Sequence, residues 1–123
     1  MTTANNLLKV SFPAGADISA KKYQVVKMNT SGEIVAVTAI TDIPFGILQN
    51  EPDAQGKPAS VCVAGISKIV LGATLTPGAR VGTGATGKAV ADATTNFNIG
   101  VLTKGGADTE VGAVLLDSKT ATA

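Results

Sequence analysis

Histidine and tryptophan are missing from this chain, and Cys62 is its only thiol. Without histidine there is no imidazole to activate a serine or cysteine nucleophile, and the usual nitrogen ligand of zinc is absent. A lone cysteine can neither close an internal disulfide nor build a thiolate metal site. It lies in an alternating apolar run, where a buried strand residue is expected. Aromatic residues are equally scarce: Phe12, Tyr23, Phe45 and Phe97 are the whole set. They are too dispersed to form a base-stacking platform or a sugar-binding surface, and core positions are expected for them. A core made of Val, Ile, Leu and Ala gains less per residue, because burial is worth roughly 25 cal/mol per Å². Association between copies is therefore expected to supply part of the missing burial.

Charge of one sign is lacking too. Ten basic and nine acidic residues leave a net charge of +1, and they are scattered. No basic stripe exists to neutralise phosphates, so nucleic acid is not an expected partner. The adjacent pair Lys21-Lys22 reads as a solvated turn. No run approaches the roughly 20 apolar residues that span a bilayer, and no membrane partner is expected. The opening residues lack the charged start and apolar stretch of a secretory signal.

What the chain does contain is many short runs rich in Val, Ile and Thr, punctuated by Gly, Pro, Asn and Asp. Its 123 residues suit one domain with one continuous body. Strands are predicted at 9–12, 23–28, 33–39, 45–49, 59–64, 66–71, 79–82, 88–91, 98–103 and 111–116. Turn signals separate them at Asn29-Thr30-Ser31-Gly32, Asp53 to Gly56, Pro77-Gly78 and Gly105-Gly106. No sustained helical period exists, beyond a short helical turn near Asp92 to Asn96. The expected fold is all-β, a small compact barrel or sandwich of short strands spanning 9–117. Residues 1–8 are expected to be a flexible arm with Leu7 and Leu8 as an adhesive tip, and 118–123 a mobile tail.

The pattern also repeats. Lys9-Val10-Ser11-Phe12 is echoed by Lys68-Ile69-Val70-Leu71, and Ile18-Ser19-Ala20 by Leu75-Thr76-Pro77. Ser31-Gly32-Glu33-Ile34-Val35-Ala36 returns as Thr86-Gly87-Lys88-Ala89-Val90-Ala91, and Phe45-Gly46-Ile47-Leu48 as Ile99-Gly100-Val101-Leu102. The offset falls from 59 residues (Lys9 to Lys68) to 54 (Gly46 to Gly100), as expected if the second copy has lost residues in its turns. Two units, about 9–64 and 68–116, are expected to bury one face against each other.

The repeat decides how the one catalytic-looking motif is read. Gly82-Thr83-Gly84-Ala85-Thr86-Gly87-Lys88 has the spacing of a phosphate-binding loop. Such a loop needs a helix directly after the lysine and a Ser or Thr for magnesium. Here Ala89-Val90-Ala91 follows, and Thr86-Gly87-Lys88 occupies the place of Ser31-Gly32-Glu33, so a hairpin turn is expected. Other arrangements are weaker. Ser67-Lys68 are strand neighbours pointing to opposite faces. Glu51 with Asp53, and Asp108 with Glu110, lack the further oxygen ligands of a calcium site. Asn29-Thr30-Ser31 matches a glycosylation acceptor with no expected use. No catalytic, cofactor-binding or metal-binding residue is assigned, and no cofactor is expected.

Taken together, these segments resemble the head decoration, or capsid cement, proteins of tailed bacteriophages. The likeness runs through residues 14–23 (Ala-Gly-Ala-Asp-Ile-Ser-Ala-Lys-Lys-Tyr), Ser31 to Val35, Phe45 to Asn50 and Ala59 to Gly65. It continues through Thr76-Pro77-Gly78-Ala79, Gly87-Lys88-Ala89-Val90 and Ile99-Gly100-Val101-Leu102, covering about residues 10–116. It implies an all-β domain without enzymatic activity, made in the host cytoplasm and assembled on the outer surface of the virion head. The implied partners are the major capsid protein and copies of the chain itself, often as a homotrimer. Leu7 and Leu8 are the candidate partner-binding residues, on an arm that could add a strand to a neighbour. A fibre or tail component, and a non-catalytic ligand-binding module, are the alternatives.

Overall fold

The computed structural model describes residues 5–91 and 98–116, with side chains from Leu8 onward. Nine strands form one curled, antiparallel sheet. They are β1 (Asn5–Pro13), β2 (Val25–Met28), β3 (Ile34–Ala36), β4 (Gly46–Leu48), β5 (Pro58–Val70), β6 (Arg80–Thr83), β7 (Ala89–Ala91), β8 (Asn98–Lys104) and β9 (Val111–Leu116). The order is β3-β2-β4-β5-β9-β8-β6-β7, with β1 also paired to β5. The all-β expectation holds, and each predicted run falls on a strand.

Three local differences have physical causes. The runs at 59–64 and 66–71 are one strand, β5, which passes through Gly65 with φ 98° instead of breaking there. Because β5 is 13 residues long, its edge continues past Lys9. Asn5, Asn6 and Leu8 fill that edge opposite Ile66, Gly65 and Ala64, where main-chain groups need partners. Residues 5–8, expected in the free arm, are thus the start of β1. A short 3-10 turn at Ser19–Lys21, not anticipated, follows Asp17, whose carboxylate accepts bonds from the Ser19 amide and hydroxyl. Residues 1–4, the proposed helical turn at 92–96 and the tail at 118–123 lie outside the described residues.

The repeat is real, and every ladder occurs twice. Pairing of β1 with the first half of β5 (Val10 with Val61, Phe12 with Ala59) matches that of the second half of β5 with β9 (Ser67 with Val114, Ile69 with Gly112). The β2–β3, β2–β4 and β4–β5 ladders recur residue for residue as β6–β7, β6–β8 and β8–β9. Even the isolated parallel bridges correspond, Ala14 with Ile34 and Leu71 with Ala89. So do the loop hydrogen bonds: Gly15 N to Ile34 O and Gly72 N to Ala89 O, Gly56 N to Ala14 O and Thr109 N to Leu71 O. These fix the true offset at the start of the repeat as 57 residues (Ala14 to Leu71), and the sequence match of Lys9–Phe12 to Lys68–Leu71 is two residues out of register. Phe12 stands where Ile69 stands, not where Leu71 does. In a strand an even slip preserves the face, so the hydrophobic pattern alone could not detect it.

Lobe 1 is therefore β1 to the first half of β5, and lobe 2 the second half of β5 to β9. Their cores are built at matching positions. Ala14, Ile18, Val26, Ile34, Leu48 and Val61 fill lobe 1. Leu71, Leu75, Val81, Ala89, Leu102 and Val114 fill lobe 2. The lobes nevertheless differ in cover. The core of lobe 2 also includes Val25, Val37 and Ile47 from lobe 1, so the outer face of lobe 1 is its roof.

Candidate interaction surfaces

The sequence motifs resolve into structural roles. Gly82 to Lys88 is the β6–β7 hairpin, with Gly87 at φ 88° and β7 beginning at Ala89. Gly84 N bonds Lys88 O, as Asn29 N bonds Glu33 O in lobe 1, so the phosphate-loop spacing is produced by a turn. Ser67 is buried and takes a bond from Gln49 Nε2 while donating to Lys68 O, and that geometry leaves it structural. Asp53 pairs with Lys57 at 3.0 Å, and Glu110 Oε1 accepts the Ala107 amide. Among the described residues, no three acidic or thiol side chains come together in a metal-holding group. Cys62 is fully buried, and burial pushes its thiol up from the ordinary value.

Of the two partner-binding candidates, Leu8 is 52% exposed on β1. Leu7 lies beside it on the same strand, which is already hydrogen-bonded to β5. Leu8 is thus presented by a strand rather than by a free arm, and the Leu7 side chain lies outside the described residues. Phe12 and Phe45 meet edge to face, ring centroids 5.5 Å apart, over the core of lobe 1. Tyr23 is half-buried, with Lys22 and Lys68 ammonium groups 5.0 and 5.6 Å from its ring centre. Phe97 lies outside the described residues.

Two features were not read from the sequence. The loop between β3 and β4 is organised by Asp42, whose Oδ2 accepts from the Thr38 and Ala39 amides and from Lys27 Nζ at 3.0 Å. The bond from the Thr38 amide, then the one from Lys27, lowers this carboxyl to about 2. The loop so fixed presents Ile43, 72% exposed. The second feature is an apolar outer face on lobe 2. Val101 pairs with Leu115 across β8 and β9, and Leu115 with Ile66 across β9 and β5. Leu115 is 46% exposed, and Val111, four residues away on the same strand, is exposed too. Strand alternation already placed Leu115 opposite the inward Val114, so the signal was in the sequence and could have been used.

The lobes join through a defined contact. Gly87 O, in the lobe 2 hairpin, accepts the Val25 amide, and Tyr23 O accepts the Val70 amide. The Gly87 turn lies so close to the Val25 backbone that a Cβ there would sit 2.5 Å from Val25 O. The corresponding turn of lobe 1, at Gly32, has open space around it.

No family model matches the chain, and no curated protein does. Among solved structures, the fold matches the N base of the head fiber protein gp8.5 of bacteriophage phi29. The TM-score is 0.70 at 17% identity, over 92% of this chain and 98% of that one. At that identity the likeness is one of fold, and it extends through both lobes.

Proposed function

We propose that this chain is a structural protein of a phage virion that decorates the outer surface of the head, bridging major capsid protein subunits as a homotrimer and carrying no catalysis. The observation that carries this reading is the whole-length fold likeness to a head-fiber base, a protein part that belongs to a phage head. The sequence resemblance to decoration proteins points the same way. So does the chemistry of the surface: apolar side chains are offered at separate places, Leu8 on β1 and Ile43 on the loop between β3 and β4. Several weak contacts from one oligomer to several capsid subunits add through effective concentration, so modest single affinities become a durable clamp. Leu7 and Leu8 remain the proposed capsid-facing anchors.

The same likeness favours a second reading, the base on which a head fibre stands. Both readings place the chain on the shell and differ in what projects from it. The test is to mix purified protein with expanded and unexpanded heads and measure bound copies by sedimentation. The decoration reading expects saturable binding to expanded heads and much weaker binding to unexpanded ones. Equal binding to both, or binding to neither, overturns it. Protein bound only at isolated points carrying a projecting fibre would favour the fibre base.

A further inference from the structure

The contact between the two lobes is one-directional. Lobe 2 sets its open core against the outer face of lobe 1, where Val25, Ile47 and Cys62 are at most 1% exposed. A two-fold arrangement would also set lobe 1 against the outer face of lobe 2, and the structure does not. Of the equivalent positions there, Arg80 and Val101 are partly buried and Leu115 is 46% exposed. The opposite end is unfinished in the matching way. Ile69, Thr83 and Ile99 at the open side of lobe 2 are at most 5% exposed under the roof that lobe 1 provides. Their counterparts Phe12, Met28 and Phe45 at the open side of lobe 1 are only partly buried against its core. The docking turn is also duplicated, buried at Gly87 and open at Gly32.

We propose that the outer face of lobe 2 is covered by lobe 1 of a second copy of this chain, which repeats between molecules the contact already made within one. Arg80, Val101 and Leu115 would receive Met28, Phe45 and the Gly32-Glu33 turn. Where the internal contact sets the Gly87-Lys88 turn on the Val25 backbone, the contact between copies sets the Gly32-Glu33 turn on the Arg80 backbone. One internal bond is not repeated: Pro13 occupies the place of Val70 and has no amide to donate, so the contact between copies is the weaker of the two. A head-to-tail contact of this kind closes into a ring or runs on as a filament. This deepens the trimer in the proposed function by naming its interface, while resting on the lobe contact rather than on the capsid.

The test is complementation, read by native mass spectrometry and sedimentation. Leu115→Lys spoils the outer face of lobe 2 and leaves the open side of lobe 1 intact. Met28→Lys does the reverse. A buried, unpaired ammonium is expected to weaken each self-association by about 100-fold or more. The native chain is expected to be oligomeric, each variant monomeric, and the mixture of variants a dimer of one of each. Circular dichroism identical to the native chain shows that the variants fold. A native chain that stays monomeric overturns the proposal, as does an oligomer indifferent to Leu115→Lys. So does a mixture that fails to pair, which would indicate a face-to-same-face contact. A monomer that still binds expanded heads would sink this interface and leave the decoration role standing.

Discussion

At the scale of single residues, the duplication works as an internal control on backbone conformation. Gly56 and Thr109 hold equivalent places, each donating its amide to the strand-ending carbonyl of its own lobe, Ala14 and Leu71. Both are left-handed, at φ 88° and 71°. A β-branched residue pays roughly 1–2 kcal/mol for that region, whereas glycine enters it freely at an entropy cost of about 0.5–1 kcal/mol. Thr109 is exposed, so little packing is lost on removing its side chain. Thr109→Gly is therefore expected to stabilise the protein by about 0.5–1 kcal/mol, seen as a higher urea midpoint with an unchanged slope; a lower midpoint would contradict the assignment of strain. Asp42 gives a pH signature. Its carboxyl is held at about 2, below the ordinary 3.8, chiefly by the Thr38 amide and then by Lys27. A lowered folded value means the stabilisation is complete above about pH 4 and is lost as pH falls towards 2. An NMR titration of the Asp42 carboxyl, with the Thr38 amide as reporter, is expected to show a midpoint well under 3.8; a midpoint at the ordinary value would mean the loop bonds are not held in solution.

At the scale of elements, the two hairpins present the same turn in different surroundings. Gly32 and Gly87 have φ of 79° and 88°, so alanine at either pays a similar conformational cost of about 1–2 kcal/mol. Only Gly87 abuts the other lobe. Gly87→Ala is expected to destabilise by at least about 1 kcal/mol more than Gly32→Ala, since its methyl group must displace main chain rather than a flexible side chain. Equal losses by urea denaturation would show that the turn does not seat on Val25. These hairpins also show what the sequence could and could not say. Their glycines, and the alternation through Val35 and Val37 and through Val61 and Val63, announced turns and strands because positive φ and a period of two leave direct marks on composition. Strand ends at Asn5 and the continuity of β5 through Gly65 were hidden. They depend on which edge lacks a partner, and that is a property of the assembled sheet. The repeat register was visible at Gly32 and Gly87 but slipped by two residues at Lys9, where alternating apolar residues match equally well at either setting. The surface at Leu115 was legible in pattern only. That it lies uncovered while Cys62 is buried depends on how one lobe seats on the other.

At the scale of the molecule, the one-directional contact makes the lobes unequal partners. Lobe 1 covers its own core only in part, with the Phe12–Phe45 pair, while lobe 2 borrows Val25, Val37 and Ile47 for its roof. The strand β5 belongs to both lobes, pairing with β1 and β4 on one stretch and with β9 on the next. Lobe 2 loses part of its core if lobe 1 opens, and lobe 1 loses the register of β5 if lobe 2 opens. Unfolding is therefore expected to be a single transition across both lobes. Ile47 is the residue on which to test it, since it is fully buried and lies between the two. Truncation to alanine leaves a cavity in a closely packed site and is expected to cost about 2–5 kcal/mol. If the lobes unfold together, the whole urea transition of Ile47→Ala moves to a lower midpoint with the slope kept. Two probes then coincide: far-UV circular dichroism, which reports every strand, and the fluorescence of Tyr23. That residue is the only tyrosine in a chain without tryptophan, and its carbonyl receives the Val70 amide at the lobe contact. Separated transitions, with the tyrosine signal lost first, would mean that lobe 2 is an independent body merely resting on lobe 1.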